Sequence, residues 1–184
     1  MPRTAVIFAA VERTTLDVIE PDVAPQIRVA VAEVGVSSGV AAETDVASSR
    51  WRELTPPPAR GVETVRVEAS DLRRAQRIGA QIRAGAAVDG RKASVVLDIE
   101  VVVDDDAPAA RRRLAAAVDT GNEGSPKTVR YVGTANGLAG LIEDVYVLGI
   151  ADGVALIPFA GQDQASGDFD LVVRLLQQKG LLTA

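Results

Sequence analysis

Cysteine and histidine are both absent from the chain. Those two zeros remove the Ser-His-Asp and Cys-His nucleophile arrangements, zinc sites built on Cys or His, haem ligation and disulfide stapling. Acid–base work is left to Asp, Glu, Lys, Tyr and Arg, and no metal site is read from the sequence. Aromatic residues are scarce at 3%, so the core must be built from Val, Ala, Leu and Ile. Basic residues are outnumbered, 20 Lys and Arg against 25 Asp and Glu, for a net charge of −5. A nucleic-acid partner is disfavoured on those grounds. Long hydrophobic runs are missing too. The apolar run near the start, Ala5 to Val11, ends at Glu12 and Arg13, well short of the ~20 residues of a membrane span and without the cleavage site of an export signal. The reading is a cytoplasmic protein that engages no membrane.

What is present is a balance of 47% hydrophobic and 24% charged residues over 184 positions, which fits one mid-sized globular domain spanning 1–184. Thr4 to Ala10 is a short, nearly all-apolar run, as expected for a strand covered on both faces. Pro21 suits a first helical turn, and Ile27, Val31 and Val34 follow at helical spacing, so a helix is expected there. Val34 to Ala42 reads as a second strand weakened by Gly35 and Gly39. From Glu43 to Gly61 the chain carries Pro56-Pro57-Pro58 and no period, which reads as a Pro-rich connector anchored by Trp51 and Leu54. Those two side chains are expected on the uncovered side of the sheet or on a dimer mate.

Regularity returns at Val62 to Val67, an alternating strand. Ser70 is a plausible N-cap for a helix with the stripe Leu72, Ala75, Ile78, Gly79 and Ile82, closed by Gly90. Ser94 to Val103 is the strongest strand pattern. Asp106 and Pro108 open a helix to about Val118. Thr128 to Val132 is a strand, Thr134 caps a helix to about Leu148, and Val154 to Pro158 is a last strand. After a polar loop from Gly161 to Gly167, Asp168 starts a helix with Phe169, Val172, Val173, Leu175 and Leu176 facing inward, ended by Gly180. Strands alternating with helices imply a parallel α/β sheet with helical crossovers.

Several constellations invite a chemical reading. Asp104-Asp105-Asp106 suits a divalent metal less well than a helix N-terminus, whose dipole acidic residues stabilise. Arg111-Arg112-Arg113 fans in three directions and reads as a solvated face. Gly133-Thr134-Ala135-Asn136-Gly137 places small residues before a helix, as an anion cradle does, yet lacks the Walker lysine and the dinucleotide glycine spacing; capping is the simpler account. Asp98 and Glu100 share one strand face, either as an acid–base pair or as part of a salt-bridge row, with the row favoured.

Three segments carry a resemblance. Tyr131-Val132-Gly133-Thr134, then Gly149-Ile150-Ala151-Asp152-Gly153-Val154-Ala155-Leu156-Ile157-Pro158, then Asp168 to Leu181 together resemble the end of the bacterial luciferase-like flavin monooxygenases, in the branch of the nitrilotriacetate and dibenzothiophene-sulfone enzymes. Ser70 to Arg91 followed by Ser94 to Val103, and Leu16 to Ala42, are similar to earlier parts of that family. The resemblance implies a TIM barrel, but a complete one takes ~250 residues, so the expectation is a truncated, internally deleted, incomplete TIM-barrel-like parallel sheet of about five or six strands. It also implies FMN as cofactor, reduced by a partner flavin reductase, with oxidoreductase or monooxygenase activity. The site would lie at the carboxyl ends of strands, near Ala10, Ser38 and Gly39. No segment matches the family's Q-A-G-x-S-x-x-G phosphate motif, and the His common near its reaction centre is absent. A non-catalytic flavin- or small-ligand-binding remnant, or a structural partner of a full-length relative, is the alternative. The open edges of a partial barrel make a homodimer the expected assembly.

Overall fold

Lys92–Val103 forms one uninterrupted strand, β4, and the rest of the sheet is arranged around it. The computed structural model describes residues 26–32, 51–56, 61–121, 127–159 and 165–182. Among them the chain runs β1 (Arg28–Ala32), β2 (Trp51–Glu53), β3 (Val62–Val67), α1 (Leu72–Val88), β4, α2 (Ala107–Asp119), β5 (Val129–Gly133), α3 (Ala135–Val147), β6 (Gly153–Pro158) and α4 (Ala165–Gln178). The sheet order is β2-β1-β6-β4-β3, with β5 also paired to β4. All pairings are parallel except β1 with β2. This is an α/β fold with an incomplete TIM-barrel-like sheet.

β4 is long enough to take two neighbours on one edge. β3 pairs with Lys92 to Leu97 and β5 with Ile99 to Val103. β6 pairs with Val96 to Val101, overlapping both. A strand has only two edges, so β3 and β5 lie end to end along one and β6 takes the other. The path from β4 to β5 therefore runs back across the sheet, opposite to β3→β4 and β5→β6. Right-handed crossovers then require α2 on the face opposite α1 and α3, and the packing agrees. Ala110, Leu114 and Ala117 of α2 pack on Val102, Val132 and Phe159. Residues of α1, α3 and α4 pack on Val95, Leu97, Ile99 and Val101, the other face of β4.

The sheet is strongly curled. β2 and β3 stand at opposite ends of the strand order, yet Arg66 of β3 lies 5.5 Å from the centroid of the Trp51 ring on β2. Arg28 of β1 donates to the Thr64 hydroxyl on β3 at 2.9 Å. Side chains thus bridge the concave face.

Two expectations are corrected here. Arg28–Ala32 is a buried strand paired with β6, not part of a helix begun at Pro21. Ile27, Val29 and Val31 also satisfy a period of two, and their β-branched side chains belong on a sheet face. Within the Pro-rich connector, Trp51–Glu53 forms a short antiparallel strand. Smaller shifts move the cap of α1 from Ser70 to Asp71, whose carboxylate accepts from the Arg74 N–H at 2.8 Å, and the start of α4 to Ala165. The strands expected over 4–10 and 34–42 lie outside the described residues.

Candidate functional site at the carboxyl ends of the strands

Parallel α/β sheets place ligands at the carboxyl ends of their strands, and open sheets do so where successive connections depart to opposite faces. Here that switch lies between β4, which leaves to α2 on one face, and β6, which leaves to α4 on the other. Asp104 and Asp105 follow β4, and Asp168 sits in the first turn of α4. Arg113 ties the group together: its guanidinium pairs with Asp104 at 3.0 Å and donates to the Val103 carbonyl at 3.2 Å. Burial raises the Asp168 carboxyl above the ordinary carboxylate range; Arg113 opposes the rise, while Asp104 and Asp105 add to it. The group carries three carboxylates against one guanidinium, a balance ill-suited to a phosphate. Asp106, the third of the acidic run, caps α2 by accepting from the Ala109 N–H.

The concave face carries a row of paired charges. Arg28 pairs with Glu53 at 2.5 Å. Arg66 grips Asp98 with two bonds, Nε to Oδ1 at 2.9 Å and Nη2 to Oδ2 at 2.7 Å. Arg130 reaches Glu100 at 2.9 Å and stacks 4.7 Å over Phe159. Gly153 and Ala155 on β6 occupy the middle of this face, and a Cβ at Gly153 would stand 2.6 Å from that of Arg28. Trp51 lies against both Arg28 and Arg66. Asp98 and Glu100 thus form the salt-bridge row read from their spacing. Burial pushes the Asp98 carboxyl up, against the bonding and charge of Arg66, with Glu68 adding to the rise.

Towards the carboxyl end the same face turns apolar, and α2 covers it through Val102, Val132 and Phe159. The Gly133 to Gly137 segment is used for capping and close packing. Thr134 Oγ1 accepts from the Gly137 N–H, and the Tyr131 hydroxyl donates to the Thr134 carbonyl at 2.9 Å. A Cβ at Gly133 would meet that hydroxyl at 2.6 Å. The expected site residues Ala10, Ser38 and Gly39 lie outside the described residues. Sequence reasoning missed Arg28 and Arg130 as charges on the concave face. The signal was available in the strands themselves, where one Arg interrupts Ile27–Ala32 and another interrupts Val129–Gly133 on the sheet face shared with Asp98 and Glu100.

A second concavity, of about 340 Å³, is lined by Glu68, Ser70, Arg74 and Lys127. It lies where β3 ends and β5 begins.

No protein-family profile matches the chain, and no curated protein does. Solved structures do. The EDTA monooxygenase EmoA from Chelativorans sp. BNC1 superposes with a TM-score of 0.54 at 17% identity, covering 65% of this chain and 40% of that one. DmoA from Hyphomicrobium sulfonivorans gives 0.55 at 15% identity over 68% of this chain and 41% of its own. The riboflavin lyase RcaE, solved with modified FMN and substrate riboflavin, gives 0.54 at 14% over 66% and 40%. The chain thus spans about two fifths of the length of these structures. Over about two thirds of its own length, it has the fold of the luciferase-like monooxygenases.

Proposed function

We propose that the chain is a luciferase-like, FMN-dependent oxidoreductase of the monooxygenase type, with the flavin against Ala10, Ser38 and Gly39. The observation that supports this most is the shared fold with EmoA, DmoA and the FMN-bearing RcaE; the barrel itself hosts many chemistries. When bound, FMN would supply hydride and oxygen chemistry that no side chain can. Reduced flavin would come from a partner reductase, and a homodimer would cover the sheet edges.

The described residues do not themselves fit a flavin. Their concave face is occupied by three Arg–carboxylate pairs and Trp51, and α2 covers its carboxyl end. Asp104, Asp105 and Asp168 stand near one another where β4 and α4 meet, and their charge repels a phosphate. This filling of the face favours a second reading, a non-catalytic small-ligand-binding or structural relative of the family.

Titrating the purified chain with oxidised and with reduced FMN tests the first reading. Saturable quenching of flavin emission, with flavin-dependent oxygen consumption, supports it. Flat titrations for both redox forms leave the second.

A further inference from the structure

Helix α1 carries its charges against its own dipole. Acidic side chains stabilise the amino end of a helix and basic ones the carboxyl end. In α1 the first turn holds Arg73 and Arg74 and no acid, Arg77 follows one turn on, and the last turn holds no base. None of these three arginines forms an ion pair with a carboxylate among the described residues. Asp71 answers the free backbone amides instead, accepting from the Arg74 N–H. At the other end Asp89 is the cap, and Arg91 is shared between Asp89, at 2.8 Å, and Glu63. Two carboxylates there divide one guanidinium. Lys92, the next residue, lies on the sheet face of Asp98, away from α1.

The outward face of the same helix is bare. Arg73, Arg77, Ala80, Gln81, Ala84 and Val88 follow one another at helical spacing, and all are exposed. Val88 is 87% exposed. Val147 and Leu148, also exposed, stand beside that end, because Arg83 of α1 donates to the neighbouring Gly149 carbonyl at 3.2 Å. The stripe is also symmetric. Its successive steps are 4, 3, 1, 3 and 4 residues, so it reads alike in both chain directions.

We propose that this face binds a second copy of the chain, α1 against α1, antiparallel about a twofold axis at Ala80 and Gln81. Reversal sets Arg73 against the partner's Val88 and beside the partner's Asp89, Arg77 against the partner's Ala84, and Ala80 against the partner's Gln81. Each basic amino end meets an acidic carboxyl end, and the two dipoles oppose. The short side chains of Ala80 and Ala84 allow the close helix approach such a pair needs, and the Arg73 stem covers the partner's Val88. The same patch serves both copies, so the contact closes at a dimer. A copy is favoured over an unrelated acidic protein because the complementary charge and the matching spacing are both on this chain. The contact uses neither a flavin nor the sheet edges, so it stands or falls separately from the oxidoreductase reading.

Sedimentation equilibrium of the full chain, free of flavin, is run from micromolar to millimolar concentration at low and high salt. A reversible monomer–dimer equilibrium that weakens with salt is expected. Ala84→Lys, which sets a cation against the partner's Arg77, should weaken it about tenfold or more. Arg73→Glu should weaken it as much while leaving the monomer's Tm unchanged or raised, since it corrects the amino end of α1; Arg73→Glu/Asp89→Lys should regain most of the loss. The chain has no cysteine, so Ala80→Cys carries one thiol close to the axis and should oxidise to a covalent dimer faster than the control Arg112→Cys, exposed on α2. Circular dichroism checks that each variant is folded. The proposal is overturned if the chain stays monomeric throughout, if the dimer survives Ala84→Lys and Arg73→Glu undiminished, as a sheet-edge dimer would, or if Ala80→Cys crosslinks no faster than Arg112→Cys.

Discussion

Removing Arg66 tests the charge row most directly. Arg66 holds Asp98 through two charge-assisted bonds at 2.9 and 2.7 Å, and the Asp98 side chain is only 1% exposed. Arg66→Met keeps most of the stem's apolar volume and deletes both bonds. Each bond to a charged group contributes about 1.5–3 kcal/mol, and stranding a buried charge costs about 3–5 kcal/mol in total. Against a typical stability of about 5–15 kcal/mol, that is a large share. With a urea slope near 2 kcal/mol/M, the midpoint should fall by about 2 M, read by circular dichroism because Trp51 touches Arg66 and would report locally.

The pH dependence gives the sharper check. The folded Asp98 carboxyl already binds its proton more tightly than an unfolded Asp near 3.9 does. Its contribution is therefore most favourable below that ordinary value and is lost as pH rises through the raised one. Deleting Arg66 removes the group that opposed the rise, so the variant's deficit should be largest at pH 8 and shrink towards pH 4. The charge-free double variant Arg66→Met/Asp98→Leu should regain most of the loss at neutral pH. A midpoint change under about 0.5 M, or a deficit equal at pH 8 and pH 4, would refute the account of Asp98 as a buried charge held by Arg66.

Three further outcomes follow from other contacts. Gly137→Ala should destabilise the parent, because the new Cβ collides with the Tyr131 hydroxyl, but in a Tyr131→Phe background it should be neutral or stabilising by up to about 1 kcal/mol, as Gly→Ala in a helix is; thermal melts of the four proteins decide it. Asp152→Ala should cost about 1–3 kcal/mol, since its carboxylate accepts from the buried Val95 N–H at 2.8 Å and from Arg83 at 3.3 Å, whereas Asp152→Asn, which keeps an acceptor, should lose less; a drop in Tm of roughly 2–4 °C per kcal/mol is the measure. Trp51→Ala should cost about 1–2 kcal/mol, two cation–π contacts at about 0.5–1 kcal/mol each with Arg28 and Arg66, and parent Trp emission should be blue-shifted and move red on unfolding; emission already at the wavelength of free indole would contradict the packing.

Much of the sheet was legible because its strands carry their own signal. Lys92–Val103 carries β-branched residues at six of its twelve positions, and the caps at Asp106 and Thr134 are legible from residue type alone. The failures have physical causes. Ile27 and Val31 are four apart, a spacing that fits both periods, and only the partner strand β6 settles it. Trp51–Glu53 is three residues long and gains its hydrogen bonds from β1, so no local pattern marks it. The partners of Asp98 and Glu100 sit 32 and 30 residues away; spacing placed the carboxylates on one face, but the arginines arrive through tertiary packing. The cavity was illegible for the same reason, since Glu68 and Lys127 meet only because β3 and β5 share an edge.

That shared edge also sets the described strands apart from the order of a closed barrel. In a closed (β/α)₈ barrel each new strand is added on the same side of the last, and right-handed crossovers keep every helix outside. β5 instead returns to the edge of β4 already used by β3, because a twelve-residue strand outruns a six-residue neighbour and leaves room for five more. The reversal sends α2 to the concave side, where Ala110, Leu114 and Ala117 offer small and medium side chains that fit over Val102, Val132 and Phe159. β6 then pairs directly with β4 instead of with β5. The charges on the concave face are neutralised in pairs, as buried charges must be, and a mixed-charge cavity opens beside β3. One change of direction at β4 accounts both for α2 on the concave face and for the break along the β4 edge where the cavity opens.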